Sequence, residues 1–224
     1  MKALIWDMDG VIVDSERAYE ERDRQWFARK GIQVDLKALR QLMGCTDDLY
    51  WQRIAQWNPQ QDMAQVRREY LDDCRAHPID YAALFRPAVR DLLQSCRQQG
   101  ILSALASSST METIRQVLTA CGLDQAFDLV VSGAQLPASK PDPAIFILCA
   151  RKLNVAAEEC TVIEDSCNGV MAGKRAGMKV IGLRDPLLDQ DLSEADRVIE
   201  DLRQLQIRQK ELIVLPLQEV LSCG

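Results

Sequence analysis

The sequence predicts an α/β fold, a mostly parallel sheet covered by helices on both faces, with an all-helical segment inserted after the first strand. Three observations carry this. A short apolar run at 2–7 ends abruptly in acid. From residue 16 to about 78 the apolar spacing is helical throughout, with no strand pattern. From residue 88 onward, helices alternate with short apolar strands, the pattern that builds parallel sheets buried on both faces.

Taken in order, the run 2–7 is a buried strand stopping at Asp7, and Ser15 is placed to cap a helix over 16–30 whose apolar face holds Tyr19, Trp26 and Phe27. Helices follow at 35–43, 46–57 and 61–76, separated by Gly44 and by the breaker Asn58-Pro59-Gln60. A helix at 88–99 ends at Gly100 and leads to the strand 101–106. The helix 110–121 ends at Gly122 and precedes a strand at 128–132. Another helix follows Lys140-Pro141-Asp142-Pro143. Then come the strand 160–164, a helix at 167–176, the strand 179–183 and a weak strand at 197–200. The helical block is thus an insertion, entered after Asp14 and left near Pro87. The apolar stretch 209–224, split by Pro216, reads either as a last strand and turn packed on the core or as an association patch; core packing is favoured.

Composition excludes several functions. The chain has 224 residues, 47% hydrophobic and 27% charged, enough for one sizeable core plus an insertion. A net charge of −6 argues against a nucleic-acid or anionic-membrane surface. No segment approaches the roughly 18 apolar residues of a membrane span, and acid follows Lys2 too soon for a signal peptide. A cytoplasmic protein without an obligate protein partner is expected. The eight cysteines show no CxxC pair and read as buried reduced thiols. His77 is the only histidine, so Ser-His-Asp, Cys-His and multi-histidine metal sites lack material. Any chemistry falls to carboxylates, hydroxyls, lysine and a hard metal.

In open α/β sheets ligands bind at the carboxyl ends of the strands, and four such ends carry unusual residues. The first holds Asp7 and Asp9, with Gly10 turning the chain. The second runs into Ser107-Ser108-Ser109-Thr110. Lys140 stands ahead of a helix. The fourth ends in Glu164-Asp165-Ser166, followed by Asn168-Gly169. Each alone has an ordinary reading: an N-cap, a surface lysine, an acidic turn. Together they suit phosphoryl transfer. Carboxylates from two strand ends can hold Mg2+, which prefers oxygen ligands. Backbone N–H groups at a helix opening cradle phosphate oxygens, Lys140 supplies positive charge, and one aspartate is available as a covalent nucleophile.

Asp7-Met8-Asp9-Gly10-Val11, the Ser107 strand end, Lys140-Pro141-Asp142-Pro143 and Glu164-Asp165-Ser166 resemble, in order and spacing, the four motifs of the haloacid dehalogenase superfamily. Within it, the chain is similar to the subgroup of β-phosphoglucomutase and sugar-phosphate phosphatases. The resemblance implies a Rossmann-like core from 1–14 and 88–224 and a small α-helical cap over 15–87. It further implies that Asp7 is the nucleophile forming a phosphoaspartate and also binds Mg2+. Asp9 would be the general acid/base, its backbone carbonyl touching the metal. Asp165 would be a metal ligand, with Glu164 in or next to the metal's shell. Ser107 and the N–H of Ser108 would hold the phosphoryl group, and Lys140 would tie it to Asp7. Asp14 is expected at the hinge or behind the site. Dehalogenases of this superfamily lack the second aspartate, so the resemblance implies phosphate chemistry.

The cap then separates phosphatase from mutase. The substrate loop is expected at 42–48, around Gly44. β-Phosphoglucomutases carry a lysine before the equivalent glycine and an arginine after it, where this chain has Met43 and Asp47; Tyr19 stands where they have a histidine. Losing a buried charge partner costs roughly 2–5 kcal/mol, and about 1.4 kcal/mol is tenfold in affinity. Asp47 would repel a second phosphate, and it is equally a helix N-terminal acid that the helix dipole favours; the two roles are compatible. The expectation is a phosphatase of small phosphorylated metabolites such as sugar or polyol phosphates. A phosphomutase is the alternative, and a non-catalytic binding protein of the same fold comes third.

Overall fold

The computed structural model describes residues 1–41, 47–186, 188 and 190–221. The first strand, β1 (Ala3–Trp6), is buried along its whole length. Its side chains alternate between two apolar layers, as the two-residue period of a strand requires: Leu4 and Trp6 enter one, Ala3 and Ile5 the other. Four helices follow: α1 (Glu16–Lys30), α2 (Leu36–Arg40), α3 (Asp47–Trp57) and α4 (Met63–Ala76). The alternating half is α5 (Ala88–Gln99), β2 (Leu102–Ser107), α6 (Met111–Ala120), β3 (Leu129–Ser132), α7 (Ala144–Leu153), β4 (Cys160–Glu164), α8 (Cys167–Arg175), β5 (Lys179–Leu183) and β6 (Arg197–Ile199). A hairpin, β7 (Leu205–Arg208) and β8 (Glu211–Val214), and a short α9 (Leu217–Leu221) complete the described chain.

The main sheet has the order β3-β2-β1-β4-β5-β6, and every pairing in it is parallel. Strand order reverses about β1: the chain runs outward through β2 and β3, then crosses to β4 on the other side. That reversal opens a crevice at the carboxyl ends of β1, β2 and β4. In register, Trp6 pairs with both Leu105 and Ile163. Asp7 therefore emerges beside Ala106 and Glu164, with Ser107 one residue further on.

Helices α1 to α4 carry an apolar cluster of their own, built on Trp26, Phe27, Ile32, Leu39, Trp51, Ile54 and Tyr70. Trp26, Phe27, Trp51 and Tyr70 meet mostly edge to face, with ring centroids 5.2–5.9 Å apart. Each such pair adds about 0.5–1.5 kcal/mol beyond area burial. The entry and return segments of this block are tied together. Val13 bridges Phe85, the Arg86 N–H donates to the Ile12 carbonyl (3.0 Å), and Arg86 Nη2 donates to Asp14 Oδ1 (3.0 Å). Asp14 thus sits at the junction of the two connecting segments.

One local expectation is corrected. Ser15 has helical backbone angles and caps nothing; its hydroxyl points elsewhere. Helix α7 opens at Ala144, directly after Lys140-Pro141-Asp142-Pro143 as expected, and a cis peptide bond joins Lys140 to Pro141. The stretch after 204 packs on the core: Leu205 and Ile207 are buried in it, and Leu212 and Val214 lie against them. No described helix is long and apolar enough to cross a membrane.

Candidate active site

Asp7 leaves β1 buried, and its N–H donates to the Ile163 carbonyl (3.0 Å), which pins it beside the end of β4. Lys140 is 2% exposed. Its ammonium donates to Asp7 Oδ1 (2.5 Å) and to Glu164 Oε1 (2.6 Å), bridging two strand ends. The other Glu164 oxygen accepts from the backbone N–H groups of Asp165 and Ser166 and from the Ser166 hydroxyl, each at 2.9 Å. Ser166 in turn caps α8 by accepting from the Gly169 N–H. Two glycines make this packing possible. A Cβ on Gly169 would lie 1.8 Å from the Glu164 carboxylate, and one on Gly10 would lie 1.9 Å from Asp165 Oδ2. Gly10 also has φ +75°, so the chain turns there in a conformation that side chains disfavour.

Carboxylate oxygens of Asp7, Glu164 and Asp165 lie within 4.8 Å of one another, all buried. Only oxygen donors are offered, which fits a hard divalent cation. The partners distinguish the three. Both oxygens of Glu164 are occupied by protein donors, whereas Asp165 accepts no hydrogen bond from the described residues. Asp7 and Asp165 therefore each keep a carboxylate oxygen without a described protein donor, while Glu164 holds Lys140 beside them.

The electrostatics agree. Burial pushes the Asp7 carboxyl up to about 8; Lys140 opposes this, and Glu164 and Asp9 add to it. Asp165 is held well above the carboxylate range by burial, then by Glu16 and Glu164. Burial alone would lower the Lys140 ammonium, but Asp7 and Glu164 reverse the sign and hold it protonated. One lysine does not balance this many acids, and a divalent cation would supply the missing charge.

Asp9 belongs to a different set of contacts. Its Oδ1 accepts from the hydroxyls of Ser15 (2.8 Å) and Tyr19 (2.9 Å), and its Oδ2 from Ser109 (3.1 Å). Ser107, buried at the end of β2, accepts the Ser109 N–H (3.0 Å), and Ser132 donates to the Ser109 carbonyl (2.6 Å). The serine run is thus divided: Thr110 caps α6, Ser109 reaches Asp9, and Ser107 and Ser108 line the strand end. Sequence reasoning missed Ser15 and Ser109 as neighbours of Asp9, and it missed Glu16. Glu16 is half-buried at the start of α1, with its carboxyl held high by burial and then by Asp9, Asp7 and Glu164. The hydroxyl spacing from Asp9 to Ser15 and Tyr19 was the available signal.

The expected substrate loop lies mostly outside the described residues, Gly44 included. Asp47 is the first residue of α3, more than half exposed, and it pairs with Arg67, which also pairs with Asp48 (2.8 Å). Trp51 Nε1 donates to Asp47 as well (3.2 Å). Arg67 thus offsets part of the negative charge assigned to this position.

A family model, "Haloacid dehalogenase-like hydrolase", matches residues 4–183, spanning the acidic cluster, Lys140 and all four helices of the inserted block. The chain belongs to the haloacid dehalogenase-like hydrolase family. Among relatives in that family, hexitol phosphatase B of Escherichia coli is 33% identical over 196 residues, covering 84% of this chain and 86% of its own. A phosphorylated carbohydrates phosphatase of Thermotoga maritima is 30% identical over 181 residues, covering 81% of this chain and 84% of its own. Among solved structures, a β-phosphoglucomutase from Clostridium difficile superposes with a TM-score of 0.77 at 26% identity, over 92% of this chain and 93% of that one.

Proposed function

We propose that this haloacid dehalogenase-like hydrolase is a Mg2+-dependent phosphatase of sugar or polyol monophosphates that works through a phosphoaspartate on Asp7. The observation that carries the reading is the junction of β1 and β4. There a buried aspartate shares an ammonium with Glu164 and lies within 4.8 Å of a carboxylate that no described protein group engages. Relatives at 30–33% identity are named as phosphatases of hexitols and phosphorylated carbohydrates, which supports the substrate class.

Asp7 attacks phosphorus, and the ester oxygen departs with a proton from Asp9. Asp9 then takes a proton from the water that cleaves the acyl phosphate. Ser107 and the Ser108 N–H hold the non-bridging oxygens, and Lys140 keeps Asp7 aimed. Mg2+, held by Asp7 and Asp165 with the Asp9 carbonyl beside them, would neutralise charge on the transferring group. Helices α1 to α4 act as a cap over residues 15–87 that screens the site from bulk water.

The mutase reading draws on the likeness to β-phosphoglucomutase. Against it, three arginines of the helical block are already bonded. Arg40 holds Glu20 bidentately (2.6 and 2.7 Å), Arg67 holds Asp47 and Asp48, and Arg22 donates to Tyr70 (2.8 Å). A second phosphate held by any of these three would have to break its pair. Incubation with a panel of hexose, hexitol and glycerol phosphates, with Mg2+ or EDTA, followed by phosphorus NMR, tests the assignment. Inorganic phosphate formed only with Mg2+ is expected. An isomerised sugar phosphate would replace the reading with the mutase, and turnover that survives Asp7→Asn would remove the proposed nucleophile.

A further inference from the structure

Asp9 is held by a hydroxyl network drawn from four separate pieces of chain. Ser15 comes from the entry segment, Tyr19 from α1 and Ser109 from the loop after β2. The fourth piece is the return segment, whose Tyr81 hydroxyl lies 3.2 Å from that of Tyr19. The direction of this last contact follows from proton counting. A phenol has one hydroxyl proton, and Tyr19 gives its proton to Asp9, so Tyr81 is the donor to Tyr19. The chain of donation runs Tyr81 to Tyr19 to Asp9 Oδ1.

That direction has a consequence for the carboxyl group. Oδ1 accepts two hydroxyl donors, Ser15 and Tyr19, which fill its two lone-pair sites. Oδ2 accepts one, from Ser109, and keeps a site open. The two tyrosines are themselves braced. The Arg22 guanidinium lies over the Tyr19 ring, 5.1 Å from its centroid. The Tyr81 ring packs against the main core, and its carbonyl accepts from the Cys121 thiol (3.7 Å) at the end of α6.

We propose that Tyr19, backed by Tyr81, is a positioning residue that fixes the Asp9 carboxyl so that Oδ2 is the edge presented to the departing ester oxygen. The inference rests on the phosphatase reading above and deepens it. Its signature is dependence on the leaving group. A sugar or polyol alkoxide needs a proton to depart, and general acid catalysis of that kind contributes roughly 10²–10⁴-fold. p-Nitrophenolate departs without one.

The test compares kcat/KM, which reports steps through departure of the leaving group, for hexitol 6-phosphate or hexose 6-phosphate and for p-nitrophenyl phosphate. It uses the full-length wild type, Tyr19→Phe and Tyr81→Phe. For Tyr19→Phe the loss on the alkyl ester is expected to exceed the loss on the nitrophenyl ester by about tenfold or more. This follows because misplacing a catalytic group by ~1 Å costs on the order of 10²-fold. Tyr81→Phe is expected to shift the same ratio in the same direction by less. Melting temperatures within a few degrees of the wild type establish folding, and Tyr81→Phe, one contact further from Asp9, carries the test if Tyr19→Phe fails to fold. Equal losses on both esters, or no loss on the alkyl ester, would overturn the positioning role while leaving the phosphatase intact. A wild type that hydrolyses neither ester would overturn the phosphatase reading and this inference with it.

Discussion

Helix α1 looks onto two buried acidic clusters, and they are built on opposite principles. At its first turn, Glu16 faces the strand-end cluster of Asp7, Glu164 and Asp165, where Lys140 is the one cation among the described residues bonded to the group. Two turns later, Asp23 is buried among the helices. Its two oxygens accept from the hydroxyls of Tyr50 and Tyr70, and Arg22 lies 3.7 Å away. Burial raises both Asp7 and Asp23, but around Asp23 the tyrosines and Arg22 pull back down, while around Asp7 two further acids push up. In the Asp23 cluster both carboxylate oxygens are engaged by protein donors. The strand-end cluster has more negative charge than the protein balances and a carboxylate that no described side chain engages. Buried charge with a full set of donors holds a fold together, whereas buried charge without one marks a place for a ligand.

Mutations can break this contrast. Asp7→Asn keeps the shape of the strand-end cluster and removes the proposed nucleophile; phosphate release should fall to background while the far-ultraviolet circular dichroism spectrum is unchanged. Lys140→Met takes the cation from between Asp7 and Glu164. Breaking a buried pair by removing one partner costs about 3–5 kcal/mol, and the urea midpoint should fall accordingly, with activity lost as well.

Magnesium should sharpen it. Without metal, Asp7 titrates near 8 in the folded chain against 3.8 as its ordinary value. A raised folded value means the native state holds a proton that the unfolded chain has released. That contribution is full below about pH 4 and is lost as the pH rises through about 8. On the proposed reading Mg2+ would take the place of that proton, so its stabilising effect should grow with pH. A ligand at 100 times its Kd adds about 2.7 kcal/mol. Differential scanning fluorimetry should show a larger rise in Tm with Mg2+ at pH 8 than at pH 5, and no pH dependence of the rise would contradict the charge argument. The smallest effect belongs to the balanced cluster. Asp23→Ala leaves the Tyr50 and Tyr70 hydroxyls without an acceptor, costing about 1–3 kcal/mol. Added Mg2+ should neither deepen nor relieve that loss, as urea titrations with and without the ion will show.

Much of the site was legible because its members lie where strands stop. Asp7, Ser107 and Glu164 end apolar runs, and a run that stops in acid or hydroxyl is visible without knowing what lies beside it. Asp9 was legible as an acid, but its partners were not. Ser15 looked like a helix cap, and only the folded chain shows its hydroxyl turned to Asp9. Ser109 sat in a run whose ordinary reading is a cap, and that role went to Thr110 alone. Tyr81, in a connecting segment with no periodicity, offered no signal. Asp47 shows the same limit in charge: its sign was readable, but Arg67, twenty residues on, was not readable as its partner.

The sequence by itself determined the alternation of strand and helix, the inserted helical block, and the carboxylates, lysine and serines that stand at strand ends. These follow from local periodicity and chain punctuation, which act over a few residues. The tertiary structure decided which carboxylate is left open, because that depends on donors supplied from across the fold. Glu164 is closed by Lys140, Ser166 and two backbone N–H groups, and Asp165 stays open because Gly10 leaves room for it. Tertiary structure also decided that Asp9 is held by hydroxyls from the entry to the helical block and from the loop after β2. Contacts between residues more than a hundred positions apart, such as Lys140 with Asp7, are set by strand register and helix packing, and no local pattern encodes them.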